Sequence, residues 1–347
     1  MSLIRYGMAL LMAALPLPAA AADPITMPAR ETGGERHIYM LLYRGCEEAC
    51  QGFQDYFRKR GLSVRFTIRD AAQDKQRVRE LVAEARAMRP DLLLTWGTTA
   101  TVEAVGKVGK VDPRRHITDL PVLFMIVSHP KAVGIVDNLA RPGRNVSGSL
   151  YLLPAETQLR AARSYLGFKR LGLIVNRAEA NSLASRDELR ALAPRFNYSL
   201  IERELPLDEN GKPDAGALPG LVAELAQQGA ELLYMTPDSF LNSQRDRLTG
   251  AALAQRLPVF AAAEAPVVKA SALLGVVNKY EDVGRFTAHQ AEKILFEGKR
   301  AGDLPVQLPR RFSFLINLDV ARELGRYPPL QLLDVAELIR RGQAVEP

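Results

Sequence analysis

The chain has 347 residues, 47% of them hydrophobic and 24% charged, and its formal net charge at pH 7 is +7. At about 150 residues per domain, this length predicts two domains. The basic residues stand in short, widely separated groups without interleaved aromatic residues, which argues against nucleic-acid binding and indicates a solvated basic surface.

Residues 1–22 have the pattern of a secretory signal peptide. Arg5 gives a positive start, residues 8–17 form an apolar core, and residues 18–22 supply the small residues that precede cleavage after Ala22. The apolar core is too short to span a membrane, and the cleavage site has no cysteine to carry a lipid anchor. We therefore expect an exported protein.

The sequence contains two cysteines, Cys46 and Cys50, which follow the first predicted strand. In an oxidising compartment this spacing at a helix start favours a local disulfide, with free thiols as the alternative. A zinc site would need two further ligands, and the four histidines do not cluster with the pair. We expect no bound metal.

Apolar strands alternate with amphipathic helices from His37 onwards. The predicted strands are 38–43, 62–68, 92–94 and 121–127, and the predicted helices are 47–60, 73–88 and one that begins at Thr98. Strands that alternate with helices of 10 to 15 residues predict a doubly wound parallel sheet.

A turn-rich segment at 139–145 separates this series from a second one. Its predicted strands are 146–152, 170–176, 198–205, 231–236, 258–261 and 272–277, and its helices are 156–166, 182–192, 217–227 and 239–255. Two series imply two lobes with a cleft between them. The tail, with elements at 281–296 and 312–324, is too small for its own core and should dock onto both lobes.

The segment 91–104, DLLLTWGTTATVEA, is the strongest local indication of a binding site. A buried strand ends at Trp96 and Gly97, where glycine permits a sharp turn. Thr98 and Thr99 then begin a helix, where a hydroxyl can cap the first turn and free N–H groups attract an anion such as a carboxylate. An ordinary capped turn, with Trp96 in the core, is the alternative.

Open parallel sheets bind ligands beyond the carboxyl ends of their strands, so polar residues at those ends are candidates for the site. In chain order these candidates are Tyr43, Arg44, Trp96, Thr98, Thr99, Ser128, His129, Asn176, Asp238 and Glu264. An acidic group that faces helix N-termini across a cleft suits a zwitterion. The alternatives are a helix cap for Asp238 and a surface position for Glu264.

The sequence lacks the usual catalytic and cofactor motifs: a P-loop, a GxGxxG after a strand, HExxH and GxSxG. The adjacent Ser128 and His129 have no third group to orient them as a nucleophile and base. We therefore expect a binding protein without a cofactor. An exported enzyme that uses Ser128, His129 and Asp238 is the alternative.

Several segments resemble the solute-binding proteins of ABC transporters, in the family that includes tryptophan- and phenylalanine-binding members. The similar segments are DLLLTWGTTAT from 91, PVLFMIVSHPKAVGIVDNLARPGRNVSG from 121, RLGLIVN from 170, LLYMTPDS from 232, the stretch from Leu257 to Leu295, LPVQLP and FLINLDVARELG. The resemblance spans about 37–339. It implies the type I periplasmic-binding-protein fold, with two Rossmann-like lobes and three crossovers near 147–152, 277–281 and 303–311.

The resemblance also implies the domain boundaries and the binding residues. The N-terminal lobe would comprise 36–148 and 279–302, and the C-terminal lobe 149–278 and 303–345. The ligand-facing turns carry over to Thr98, Thr99, Ser128, Asn176, Asp238 and Glu264, and add Tyr280.

These features together predict the periplasmic solute-binding component of an ABC importer. We expect a monomer that binds a small carboxylate-bearing solute, such as an amino acid, and delivers it to an ABC permease in the inner membrane. A sensory protein that presents its solute to a signalling receptor is the alternative.

Overall fold

The computed structural model describes residues 34–340 and the backbone of 343–345. The predicted signal peptide at 1–22 lies outside the described residues. None of the helices in the described part of the chain is long and apolar enough to cross a membrane.

The first lobe is built on a five-stranded parallel sheet with the strand order β2-β1-β3-β4-β5. The strands are β1 (Arg36–Leu42), β2 (Val64–Asp70), β3 (Leu92–Trp96), β4 (Val122–Val127) and β5 (Val146–Leu150). The first three helices are α1 (Glu48–Arg60), α2 (Lys75–Met88) and α3 (Thr98–Val105). Strands β3 and β4 are buried at every residue, as expected for parallel strands covered on both faces.

The second lobe is built on an eight-stranded sheet with the order β13-β12-β11-β10-β9-β8-β6-β7. Its strands are β6 (Arg170–Val175), β7 (Ser199–Glu204), β8 (Leu232–Met235), β9 (Val259–Ala261), β10 (Leu274–Val277), β11 (Ser313–Asn317), β12 (Ala336–Arg340) and β13 (Gln343–Val345). Its helices are α4 (Ala155–Tyr165), α5 (Ala180–Leu192), α6 (Leu218–Gln227), α7 (Ser239–Ser243), α8 (Arg245–Ala254), α9 (Ala265–Val268), α11 (Leu318–Leu324) and α12 (Leu330–Leu333).

This second sheet is mixed, whereas the alternation of strands and helices predicts a parallel one. Strand β11 runs antiparallel to β10, and β13 runs antiparallel to β12; the other pairings are parallel. Strand β11 enters the sheet from the other lobe at the edge where β10 ends, so its direction is reversed. Strands β12 and β13 are not predicted, because segments of five and three residues are too short to show a clear alternation.

The chain passes between the two sheets three times. It leaves the first lobe after β5, and it returns after β10 as helix α10 (Tyr280–Leu295), which packs against α1, β4 and β5. It then crosses back to β11. Strand β5 continues in the first sheet to Leu150, two residues beyond the predicted lobe boundary at 148.

The predicted helix 239–255 is in fact two helices. Gln244 lies between α7 and α8 with φ −101° and ψ 19°, outside helical geometry. The apolar positions continue on both sides of this break, so periodicity alone does not reveal it.

Helices α1 and α10 pack closely because each presents a glycine to the other. A Cβ added at Gly284 would collide with the Ala49 carbonyl oxygen and would lie 2.9 Å from the Phe53 backbone nitrogen. Overpacking of this kind typically costs about 1–3 kcal/mol.

We therefore expect Gly284→Ala to lower the free energy of unfolding by about 1–3 kcal/mol, measured by urea unfolding followed by circular dichroism. Gly250→Ala on α8 is the matched control, since a Cβ there has open space and alanine favours a helix. Equal midpoints for Gly284→Ala and the unmodified protein would contradict this packing.

Candidate functional site

The carboxyl ends of the two sheets face each other, and contacts join them directly. Arg44 Nη1 in the first lobe donates to the Ser239 carbonyl oxygen in the second at 3.2 Å. His129 Nε2 lies 2.9 Å from Ser185 Oγ, and Glu48 pairs with Lys269. The lobes are therefore closed on each other.

Arg44 and Trp96 form the centre of this interface. The Arg44 guanidinium carbon lies 4.8 Å from the centroid of the Trp96 ring, within the range of a cation–π interaction. Arg44 Nε and Nη2 donate to the two carboxylate oxygens of Glu47 at 2.8 and 2.9 Å. Trp96 is only 1% exposed, so it is a wall of the interface and also part of the first-lobe core.

Tyrosines surround the arginine. The rings of Tyr151 and Tyr280 meet edge to face with centroids 5.7 Å apart, and both are near enough to Arg44 for its charge to affect them. Burial raises the pKa of Tyr43, Tyr151 and Tyr280, so all three hydroxyls are protonated at neutral pH. Sequence reasoning missed Tyr151 as a site residue, although it lies in the predicted first crossover.

A pair of buried acids lies opposite, in the second lobe. Asp238 Oδ1 accepts from the Leu241 N–H at 2.7 Å and Oδ2 accepts from Asn176 Nδ2 at 3.0 Å. Burial and then the charge of Glu179 raise the pKa of Asp238 well above its usual value. Asp238 therefore caps α7, which was the alternative to a ligand-binding role in the sequence analysis. It also belongs to a buried acid pair that faces the cleft.

Glu179 is the other member of the pair, and sequence reasoning missed it. Its carboxylate accepts from the backbone N–H groups of Ser239 and Phe240 at 3.0 and 3.1 Å. Burial raises its pKa despite these hydrogen bonds. The sequence could have indicated Glu179 as a candidate, because it lies in the same turn after Val175 as the predicted site residue Asn176.

The first turn of α3 differs in one respect from the prediction. Gly97, with φ 91°, is the N-cap residue, and no side chain within the described residues caps this helix. Thr98 and Thr99 instead occupy the first helical positions, so the expected hydroxyl cap is wrong. Thr98 is buried, and Thr99 lies next to the Tyr43 hydroxyl at the interface.

A β-bulge near the end of β4 sets the orientation of the two residues that follow the strand, Ser128 and His129. The register of β4 against β5 slips by one residue between Phe124 and Val127, and Ile126 has φ 55°, a strained conformation for a β-branched residue. Ser128 is consequently buried beside Tyr151, whereas His129 points to the margin of the interface.

His129 connects the lobes through α5. Besides Ser185, its Nδ1 lies 3.8 Å from a carboxylate oxygen of Glu188, and burial lowers the pKa of His129 to about 4. Because the imidazole is paired with Ser185, it is not aligned with Ser128 as a nucleophile and base.

Glu264 lies at the hinge rather than on the open surface. Its carboxylate accepts from the Tyr280 N–H at 2.9 Å, and burial raises its pKa. It therefore binds the first residue of α10, beside the crossover that follows β10.

Several of the buried polar atoms that have no hydrogen-bonding partner among residues 34–340 lie at the carboxyl ends of strands. They include Trp96 Nε1, Thr236 Oγ1 and Asn278 Oδ1, which lie at or near the ends of β3, β8 and β10. Buried polar atoms are normally satisfied, so these atoms are suited to a polar ligand between the lobes. Asn278, whose amide donates to the Tyr151 carbonyl at 2.9 Å, was missed by sequence reasoning.

Cys46 and Cys50 form a disulfide with their Cα atoms 5.2 Å apart. Within the described part of the chain, no group of three or more histidine, cysteine or acidic residues could hold a metal ion.

Comparisons with known proteins agree with this architecture. The chain is 25% identical to a tyrosine-binding protein of Clostridioides difficile over 290 residues. The aligned region covers 82% of this chain and 79% of that protein. A conserved domain protein from Vibrio cholerae has a similar structure, with a TM-score of 0.78 and 22% identity over 88% of this chain and 100% of that one. A domain from Streptococcus pneumonia in complex with L-Trp gives a TM-score of 0.76 at 20% identity, with the same coverage of both chains.

The family model described as ABC transporter substrate binding protein matches residues 40–337, nearly all of both lobes. Members of this family are substrate-binding proteins rather than enzymes, and the structural neighbours share the type I periplasmic-binding-protein fold. The chain therefore belongs to the family of ABC transporter substrate-binding proteins.

Proposed function

We propose that the protein is the periplasmic solute-binding component of an ABC importer and that it binds an amino acid between its lobes. The observation that carries this proposal is the buried pair of Asp238 and Glu179, which faces an aromatic-lined interface. The solute would be delivered to a permease in the inner membrane.

The charge balance of the interface favours a ligand with a cationic group. The charge of Arg44 lowers the pKa of both Asp238 and Glu179, but the Arg44 guanidinium is hydrogen-bonded to Glu47, and burial still keeps the pKa of each acid raised. Their raised pKa values show that burial and mutual repulsion disfavour two negative charges here. A ligand ammonium would relieve this repulsion and would stabilise the ionised pair.

The opposite side of the interface can bind a carboxylate. The first turn of α3 faces the cleft without a side-chain cap among the described residues, and helix N-termini favour anions. An α-amino acid would place its carboxylate here and its ammonium near Asp238.

The walls suit an aromatic or another flat side chain. Tyr43, Trp96, Tyr151 and Tyr280 are all buried, and the last three lie close to Arg44. The relatives that bind tyrosine and L-Trp support testing aromatic amino acids first.

A thermal-unfolding screen with the twenty amino acids, simple sugars and dicarboxylates tests this proposal. A ligand at 100 times its dissociation constant should stabilise the folded protein by about 2.7 kcal/mol. For the amino acid that stabilises most, two analogues are compared, one without the carboxylate and one without the amine. Both should stabilise much less, because one lacks the carboxylate that binds at the first turn of α3 and the other lacks the ammonium that pairs with Asp238.

Stabilisation by sugars alone, or equal stabilisation by the analogue without an amine, would contradict an amino-acid site.

A further inference from the structure

The turn 44–50 contributes two of the contacts between the lobes. It contains Arg44, which reaches the Ser239 carbonyl, and Glu48, which pairs with Lys269 at the end of α9. Between them lies Glu47, the partner of Arg44. The disulfide from Cys46 to Cys50 encloses both glutamates.

The start of α1 lacks the usual stabilisation of a helix end. Glu47 is the N-cap residue, but it makes no side-chain cap hydrogen bond to the described residues, since its carboxylate is turned towards Arg44. Loss of a side-chain cap typically costs about 1 kcal/mol. The disulfide spans this first turn and constrains it covalently, while Glu47 binds Arg44 and Glu48 binds Lys269.

Glu47 is a positioning residue for Arg44. Its two hydrogen bonds fix the orientation of the Arg44 guanidinium group, which lies over the Trp96 ring. Bidentate pairs of this type fix geometry as well as charge. If the first turn of α1 loosens, Arg44 loses its orientation and the Trp96 ring is uncovered.

Glu48 connects the same turn to the opposite lobe. Burial would raise its pKa, but contact with Lys269 outweighs burial and lowers the pKa of Glu48. Glu48 is therefore ionised at neutral pH, and its contact with Lys269 favours the closed arrangement of the lobes.

We propose that the Cys46–Cys50 disulfide positions Glu47 and Glu48, and that its reduction releases Arg44 from Trp96 and weakens closure of the lobes. The reaction is a thiol–disulfide exchange: a dithiol gives up two electrons and two protons, the S–S bond breaks, two cysteine thiols form, and the dithiol becomes a cyclic disulfide. Cys46 is exposed, so its sulfur is accessible to such a reductant, whereas Cys50 is buried.

Trp96 provides a direct measurement, because it is the single tryptophan of the sequence. The exported chain is excited in the tryptophan band, and quenching by acrylamide is measured before and after reduction with dithiothreitol. We expect the quenching constant to rise several-fold on reduction, with an unchanged far-ultraviolet circular dichroism spectrum. The reductant has no other target, because the sequence holds no further cysteine.

Three variants separate positioning from general stability. Glu47→Gln should raise quenching even in the oxidised protein, because the amide cannot make the charged bidentate pair. Glu80→Gln, which removes a similar i,i+3 pair with Arg77 on α2, should leave quenching unchanged. The double variant Cys46→Ser/Cys50→Ser should match the reduced protein and should not respond to dithiothreitol.

The proposal is overturned if quenching stays the same once both thiols are released, or if the cysteines are already free before reduction. A loss of the circular dichroism signal on reduction would also overturn it, since the disulfide would then support the whole lobe rather than Arg44. The proposal takes the interface as the ligand site proposed above, but the measurement uses no ligand. Failure of the amino-acid screen and failure of this test are therefore distinguishable.

Discussion

The Asp238→Asn variant is expected to lose amino-acid binding while it remains folded. Removal of one partner of a buried charge pair typically costs about 2–5 kcal/mol, which corresponds to a loss of affinity of roughly 30-fold or more. The remaining carboxylate of Glu179 is held by two N–H groups of α7, so it does not replace Asp238. Isothermal titration with the amino acid found in the screen measures the loss.

The stability of this variant should change little. An asparagine keeps the oxygen that caps α7 but loses the hydrogen bond from Asn176, a net cost of about 1 kcal/mol. Relief of the repulsion between the two acids offsets this cost. By contrast, Asp238→Ala also removes the cap, and it should destabilise the protein by about 1–3 kcal/mol more.

Asp119→Asn is the matched control, because Asp119 is an exposed carboxylate that pairs with Arg89 and precedes β4, at the end of the sheet away from the cleft. It should bind with unchanged affinity. Unchanged binding by Asp238→Asn would show that the ligand ammonium does not lie at the acid pair.

The second large effect that we expect is a weaker closure of the lobes at low pH, because His129 becomes protonated. Its pKa is about 4 when the lobes are closed, against 6.5 for an unperturbed histidine, because burial disfavours the charged imidazole. A histidine that returns to water when the lobes open, or when the chain unfolds, binds a proton below pH 6.5. The closed state therefore binds fewer protons in the interval from about 6.5 down to about 4.

The sign follows from proton linkage: the contribution of His129 is fully present above pH 6.5 and is lost as the pH falls towards 4. At pH 5.5 the loss is about 1.4 kcal/mol, or about tenfold in affinity. Ligand affinity measured from pH 7.5 to 5.0 should fall in the unmodified protein relative to His129→Gln.

The comparison with His129→Gln is needed because other charged groups lie nearby. Glu188 and Ser185 on α5 face the imidazole directly, and Lys107 and Asp187 line the same groove. The pKa of Glu188 is raised by burial, so its protonation favours the closed state at low pH, opposite to His129. Since Glu188 is present in both proteins, the difference between them isolates the histidine. Parallel pH profiles would contradict this role.

Local information in the sequence determined most of the elements. The alternation of apolar strands and amphipathic helices predicts two βα series, which correspond to the two lobes except that the first strand of the second series, β5, joins the first sheet. The turns after β1, β3, β4, β6 and β8 were correctly identified as the ends of strands. Helix and strand periodicity reflects the burial of one face of each segment, so it can be read without knowledge of the partner.

Tertiary structure alone decided which of these turns meet. Glu179 faces Asp238, His129 reaches Ser185, and Tyr151 packs on Tyr280, although each pair is far apart in the chain or in separate elements. The exact register of the closed lobes sets these contacts, and no local periodicity encodes that register. The same holds for the bulge at Ile126, because its strain depends on packing between β4 and β5.

The sequence by itself therefore determined the α/β architecture, the two lobes and the set of strand ends that could form a site. Only the folded structure shows that Glu47 holds Arg44 over the Trp96 ring. Only the folded structure shows that Asp238 and Glu179 are buried near each other. The physical reason is that burial, charge pairing and pKa depend on distances between segments, which only the folded chain establishes.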